Sequence, residues 1–374
     1  MNPQVLVTRK PAEESLRSTA SRDGLFETAA SDCLLVSNRP LSDWYADASR
    51  TEVTFIVLSY NNAGYLPQTL ESVERQTVAD MEIVISDDGS SDASVQVIRD
   101  WLHKSQRPAL AVLWQRNGGI ARNYNSALQW ARGRHIAHIG SDDVNIPHRV
   151  EAQLQALKSS NASMCISGME VIDDKGRHLR SVAPKVELQE RSVVLASGSV
   201  AVTSPTMMYD RQLIDAFGPL PSELANEDEA LAMRAAFSRG ITILDQALVR
   251  YRIHGSSVTA RNRQLTLTGY LSWMRTNLPM QMANKRHWLQ VLQATKADST
   301  DVEVIQGHLE TLARQHRFVD EILRLSVLGQ IGELLSKQAG RVIVRAYLLQ
   351  LARALRVMTL ISLAAWRERL PASR

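Results

Sequence analysis

The sequence predicts an α/β fold: a mainly parallel sheet flanked by helices, followed by a region made of helices alone. Three observations carry this reading. From residue 53 to residue 139, β-rich apolar runs alternate with segments whose apolar residues recur every three or four positions, the pattern of strand, helix, strand. The runs are short and apolar, as buried strands of a parallel sheet are. Polar clusters at 59–62, 87–92 and 141–143 all fall at carboxyl ends of those runs, where such sheets bind their ligands.

Taken in order, residues 1–50 are polar and irregular, and read as a tail or loosely packed arm. Regular structure begins at the strand Val53–Leu58. The loop Ser59-Tyr60-Asn61-Asn62-Ala63-Gly64 follows, then a helix bearing Leu66, Leu70 and Val73. Glu82–Ser86 is a second strand, ending in Asp87-Asp88-Gly89-Ser90-Ser91-Asp92. Asp92 is the expected N-cap of a helix bearing Val95, Ile98 and Leu102. A strand at Leu110–Trp114, a helix over Gly119–Arg132 and a strand at His135–Ile139 complete the alternation. Beyond residue 150, strands are expected at Ser163–Ile172, Val200–Tyr209, Ile241–Leu244 and Ala247–Tyr251. A helix is expected at Glu227–Arg239, and Lys185–Ser197 reads as a connecting excursion. From about Leu265 only helix patterns remain.

Composition narrows the function classes. The chain has 374 residues, 44% hydrophobic and 22% charged, with a formal net charge of +4. These are ordinary values for a globular protein, and so small a net charge does not point to nucleic acid as a partner. The two cysteines, Cys33 and Cys165, have no metal-ligand spacing, so a reducing cytoplasm is expected. No basic-then-apolar leader is visible at the N-terminus. The longest apolar stretch near the C-terminus, Val357–Trp366, is shorter than the roughly 18 residues a spanning helix needs.

The chemistry is concentrated in the polar clusters. Asp142 and Asp143 are adjacent carboxylates just past a buried strand, an arrangement that costs energy unless a cation sits on them. Magnesium-type sites use one or two carboxylates together with substrate phosphates. Asp87 and Asp88 precede Gly89, a common turn signal. Arg122 lies on the helix that opens at Gly119, where free backbone N–H groups and a cation would both meet an anion. Glu227 and Asp228 open a helix whose dipole favours carboxylates.

Several segments, in order, resemble glycosyltransferase family 2, the inverting sugar transferases of GT-A fold. They are Phe55-Ile56-Val57-Leu58-Ser59-Tyr60-Asn61-Asn62, Ser72-Val73-Glu74-Arg75-Gln76-Thr77, Asp87–Asp92, Asn117-Gly118-Gly119-Ile120-Ala121-Arg122-Asn123, Ser141-Asp142-Asp143, Glu227-Asp228-Glu229-Ala230-Leu231 and Tyr251-Arg252-Ile253-His254. The resemblance covers residues 51 to 260. It implies a nucleotide-diphosphate sugar as donor, a UDP-sugar in the first instance, and Mn²⁺ or Mg²⁺ as cofactor. By it Asp143 is the metal ligand, with Asp142 toward the ribose or metal and His254 returning to the metal and diphosphate. Asp88 accepts from the nucleotide base, Tyr60 stacks on it, and Ser59 and Asn61 belong to the same nucleotide loop. Arg122 meets the phosphates, and Arg252 either pairs with phosphate or packs against an acidic neighbour. Asp228 is the general base. Many family members have an acidic residue one or two positions before the Asp pair; here Gly140 and Ser141 stand there, which makes His254 more important.

The expected organisation is therefore an N-terminal extension over 1–50, a GT-A domain over 51–260 and a C-terminal helical region over 261–374. In the last, Arg341, Arg345, Arg353, Arg356, Arg367 and Arg369 punctuate an apolar stretch containing Trp366. A basic amphipathic helix of this kind lies on an anionic membrane or packs on other helices or a second subunit; both readings stay open. The acceptor expected is a saccharide, free or lipid-linked, and the enzyme is expected in the cytoplasm or at the membrane's cytoplasmic face. Two other classes compete: a nucleotide-sugar-binding module without activity, and a nucleotidyltransferase. Intact Asp228 and His254 argue against the first. Against the second, the loop Ser59–Gly64 holds neither Lys nor Arg.

Overall fold

The computed structural model describes residues 19–20, 24–30, 32–46, 51–185, 187, 190–197, 202–224, 226–255 and 267–323. The basic stretch from Arg341 onward, expected to be an amphipathic helix, lies outside these residues. The chain divides into two compact units, one of residues 1–261 and 283–309, the other of residues 262–282 and 310–374.

The first unit is built on one mixed sheet. Its centre is four parallel strands: β4 (Val53–Ser59), β5 (Met81–Asp87), β6 (Ala109–Trp114) and β7 (His135–Gly140), in the order β6-β5-β4-β7. Every residue of β4 and of β5 is buried, which explains their unbroken apolar runs, because parallel strands are covered on both faces. The side chains alternate all the same. Phe55 and Val57 pack with Leu66, Leu70 and Val73 of α2 (Leu66–Glu74) and Ile98 and Leu102 of α3 (Ser94–Leu102). Ile56 and Leu58 pack on the opposite side with Tyr124, Ala127 and Leu128 of α4 (Ile120–Trp130). Helices with apolar residues three and four apart thus cover both faces.

Among the described residues of the N-terminal section, strands stand where a tail or loosely packed arm is expected. β1 (Thr19–Ala20), β2 (Phe26–Ala29) and β3 (Cys33–Ser37) extend the sheet, with β3 antiparallel to β6. Leu35, Val36, Leu41 and Trp44 are buried, Trp44 in α1 (Asp43–Ala46). The apolar run Cys33-Leu34-Leu35-Val36 caps what would otherwise be an open edge of the parallel sheet.

On the other side of β7 lie β11 (Met207–Asp210), β9 (Met164–Ile172), β12 (Ile241–Arg252) and β8 (Val144–Asn145), with β10 (His178–Val182) paired to β9. The two short strands expected at 241–251 are one strand, bent where its pairing with β9 shifts register between Leu244 and Val249. Part of the strand expected at 200–209 is a 3₁₀ turn, Ser204–Thr206, before β11. The excursion at 185–197 includes a helix, α6 (Arg191–Ser197), and α5 (Arg149–Ser160) and α7 (Gln212–Phe217) complete this half. α8 (Glu227–Ala236) follows, and α9 (Leu267–Ala294) and α10 (Ser299–Leu323) confirm that only helices are described beyond residue 265. In the second unit Leu271, Met274, Leu278 and Val319 form a small core. Among the described residues no helix is long and apolar enough to cross a membrane.

Candidate active site

Three loops meet at the carboxyl ends of β4, β5 and β6. Asp88 N–H donates to Ser59 O at 2.9 Å. Asn61, in the left-handed region at φ 51°, accepts from Ser91 N–H at 2.8 Å and donates its own N–H to Ser90 Oγ at 2.8 Å. Asp87 accepts from the N–H and hydroxyl of Ser90 and so shapes the turn. Gly89 is required there: its φ is +73°, and a Cβ would lie 2.6 Å from the backbone of Arg116. Asp92 stands one residue before the cap position of α3. Its carboxylate ties Ser94 N–H and Ala63 N–H together, both at 2.9 Å, and these bonds hold its pKa below the usual carboxylate value although burial opposes them.

Asp88 is the pin of this floor. Its carboxylate is 3% exposed and accepts from Gly118 N–H (2.9 Å), Gly119 N–H (2.8 Å) and Arg122 Nη2 (2.9 Å). Arg122 also donates to Arg116 O and stacks 4.3 Å over Trp114. It is therefore not the free phosphate cation that its place on α4 suggests, because a buried carboxylate thirty-four residues earlier already neutralises it. Tyr60 is 46% exposed beside this floor, while Ser59 Oγ is buried with no hydrogen-bond partner among the described residues. Removing Asp88 leaves the Gly118 and Gly119 amides without their acceptor and Arg122 without its counter-charge. Asp88→Ala is accordingly expected to lower the melting temperature clearly, and exchange of the Gly118 and Gly119 amides with deuterated solvent should accelerate. Unchanged protection of those amides would mean the loop is held by something else.

The second cluster lies past β7. Asp142 Oδ2 is 3.0 Å from His254 Nε2, and the His254 ring packs 4.8 Å from that of Tyr65. Gly140 lets the Asp142 carboxylate fold back, since a Cβ there would stand 2.9 Å from Asp142 Oδ1. Asp143 faces inward. It is 2% exposed and accepts from Arg252 N–H at 2.7 Å, while its carbonyl accepts from Thr69 Oγ1 at 2.7 Å. Burial, then repulsion from Asp142, pushes its carboxyl well above the usual range. The expected order of the pair is thus altered in this structure: Asp142, not Asp143, is the more accessible carboxylate and the one that meets His254. The reason is β12, whose backbone takes Asp143 as its acceptor. Arg252 packs and does not reach outward. It donates to Asp142 O (2.8 Å) and Gln68 Oε1 (2.6 Å), and lies 4.9 Å over Tyr65. Asn62 Nδ2 donates to Ser141 Oγ at 2.9 Å and joins the two clusters.

Asp228 sits in the first turn of α8, half-buried, and accepts from Glu229 N–H at 2.7 Å. Burial, then the Glu227 carboxylate, pushes its pKa up to about 8. Glu227 is buried and accepts from Ser204 Oγ at 2.6 Å. Ser204 Oγ lies 2.6 Å from His138 Nε2. With the serine proton given to Glu227, His138 must carry its proton on Nε2, which leaves the buried Nδ1 without a partner. Burial and Arg149 hold His138 down to about 3, so the ring is neutral. Ser204 therefore anchors Glu227, the residue before Asp228, to His138 of β7, four residues before Asp142. Glu229 pairs with Lys285 at 2.6 Å and with Asn284 at 3.0 Å, which fixes the outer side of the same turn. No signal in the sequence marked Ser204, His138, Gln68 or Lys285, because each meets its partner only in the fold.

For a metal, the donor set fits without being complete. Asp142 and His254 offer a carboxylate oxygen and an imidazole nitrogen at one point, and Asp143 adds a second carboxylate whose repulsion a cation would relieve. Among the described residues no three His, Cys, Asp or Glu residues gather to hold a metal by themselves. Substrate phosphate oxygens and water normally supply the remaining ligands of such hard cations.

The family model described as glycosyl transferase family 2 matches residues 54–218. The chain is 30% identical over 243 residues to EpsH of Bacillus subtilis, which is named as a glycosyltransferase, covering 63% of this chain and 70% of that one. Its fold is similar to that of TarS from S. aureus in complex with UDP-GlcNAc, with a TM-score of 0.50 at 19% identity over 76% of this chain and 79% of that one. It is also similar to the mannosyltransferase PcManGT from Pyrobaculum calidifontis in complex with GDP-Man and Mn²⁺, with a TM-score of 0.51 at 15% identity over 84% of this chain and 86% of that one. With the match to the family model, a relative of this identity and coverage, and the parallel sheet carrying its polar clusters at the strand ends, the chain belongs to glycosyltransferase family 2 and has the GT-A fold.

Proposed function

We propose that this glycosyltransferase moves a sugar, with inversion, from a UDP-sugar to a hydroxyl of a saccharide acceptor, free or lipid-linked. The observation that carries the reading is Asp228: a half-buried carboxylate with a raised pKa of about 8, held in the first turn of α8 by the Glu229 N–H at 2.7 Å. A general base works best when its pKa lies near the operating pH. Asp228 takes the proton of the acceptor hydroxyl as that oxygen attacks the anomeric carbon from the face opposite the leaving nucleotide. The Glu229 N–H holds the carboxylate in place.

At the nucleotide, Tyr60 stacks on the base, and the buried Ser59 Oγ and the Asn61 turn border it. A carboxylate has about four lone-pair sites and Asp88 uses three, leaving one for the imide N–H of uracil. Arg122 acts by keeping Asp88 and the Gly118–Gly119 loop in register. At the diphosphate, Asp142 and His254 would hold Mn²⁺ or Mg²⁺, with Asp143 behind them. When bound, the metal supplies Lewis-acid stabilisation of the charge that builds on the leaving diphosphate. We also propose that residues 51–260 carry the chemistry, and that 261–374 serve as a contact region for a second subunit or the inner face of a membrane.

A screen of nucleotide sugars with Mn²⁺ or Mg²⁺, read as nucleotide release, tests the donor. UDP release from a UDP-sugar, lost in excess chelator, is expected. Release from GDP- or TDP-sugars alone would move the donor assignment, and full activity in chelator would remove the metal from it.

A further inference from the structure

A second concave site lies on the β9–β10 side of the sheet. It is open to solvent, and its lining includes Ser167, Val182, Lys185, Val202, Thr203 and Thr206. Two features tie it to the chemistry. Thr203 immediately precedes Ser204, whose hydroxyl donates to Glu227, the residue before Asp228. The wall at Thr203 is also rigid. Thr203 O accepts from both the N–H (2.8 Å) and the hydroxyl (2.7 Å) of Thr206, and Thr206 O accepts from the buried Gln153 side chain at 2.8 Å.

The hairpin segment that runs into the cleft's lining at Val182–Lys185 is positively charged. Between Lys175 and Lys185 the chain carries two lysines, two arginines, one histidine and no acidic residue. The neighbouring acids are engaged or stand at the margin. Glu170 pairs with Arg250 at 3.1 Å and Asp173 with Arg177 at 2.6 Å, while Asp174 lies at the hairpin tip and Glu187 and Glu190 follow the wall. Arg180 and Lys185 are exposed and have no carboxylate partner among the described residues. Leu179 is 54% exposed on the same strand. A cleft lined by Ile166 and Met169, by the hydroxyls of Ser167, Thr203 and Thr206 and by the cation of Lys185, with Arg180 two residues along β10 from its lining residue Val182, matches a saccharide that carries negative charge.

Resting on the acceptor reading above, we infer that the acceptor is an acidic saccharide chain, bound in this cleft with its charge on Arg180 and Lys185 and its reactive end toward Asp228. The test measures binding of oligogalacturonate and of a neutral glucan of equal length to the full chain, by calorimetry at low and at 0.3 M salt. It is repeated for Arg180→Glu/Lys185→Glu, with UDP plus Mn²⁺ titrated in parallel. Acidic binding is expected to weaken about tenfold in the variant, equivalent to about 1.4 kcal/mol, and to weaken with salt, while UDP affinity stays as in wild type. Because β10 is exposed, the variant should keep the wild-type circular dichroism spectrum. Equal binding of acidic and neutral chains, or acidic binding untouched by the charge reversals, overturns the inference. So does retention on anionic phospholipid vesicles that depends on these two residues while oligogalacturonate does not bind. If UDP itself fails to bind wild type, the donor reading falls; if UDP binds and oligogalacturonate does not, only the acidic acceptor falls.

Discussion

Asp228→Asn is expected to lower turnover by about 10²–10⁴-fold, the range for losing a general base, with little change in nucleotide-sugar affinity. The amide keeps the shape of the carboxylate and can still accept from Glu229 N–H, but it cannot take a proton. The wild-type rate should climb with pH toward a plateau above about 8, because burial and Glu227 hold the carboxyl protonated below that value. The residual rate of the variant should lack that limb. Stability should move in step. The folded-state pKa is raised above that of the unfolded chain, so the stability linked to this group is present at low pH and is lost as pH rises through about 8. The Asn variant has no such loss, and its melting temperature relative to wild type should rise between pH 6 and 9. Loss of donor binding together with activity would instead make Asp228 a donor-site residue.

Asp142→Ala is expected to abolish the dependence of donor turnover on Mn²⁺ or Mg²⁺ and to cost about 10²-fold in metal affinity, at the upper end of what even outer-shell changes cost. In this structure Asp142, not Asp143, meets His254 and is the more accessible of the pair. The upward shift of melting temperature on adding UDP and Mn²⁺ should vanish in Asp142→Ala and shrink in His254→Ala. Asp143→Ala should act first on the fold, because it removes the buried acceptor of Arg252 N–H. Should Asp142→Ala keep its metal response while Asp143→Ala loses it at unchanged melting temperature, the ligand order implied by the family resemblance is the correct one.

What the sequence by itself determined is what local physics dictates. The strands β4 to β7 are legible because a strand covered on both faces must be apolar throughout, and their order of appearance with α2, α3 and α4 requires a parallel sheet. The loops at their carboxyl ends are legible because turns and ligands need Asp, Asn and Gly there. The segment Cys33–Val36 carried the same apolar signal, yet the polar residues around it hid a strand that pairs with β6. What only the tertiary structure decided is which polar groups satisfy one another. Asp88 and Arg122 are 34 residues apart, His138 and Ser204 66 apart, and Asp142 and His254 112 apart. Periodicity and spacing report only neighbours along the chain, whereas a buried charge or hydroxyl takes whichever partner the fold brings within hydrogen-bond distance. That is why Asp88 and Arg122 meet each other before any ligand, why Asp143 turns inward to β12, and why a serine with no motif of its own joins His138 to the acid beside the candidate base.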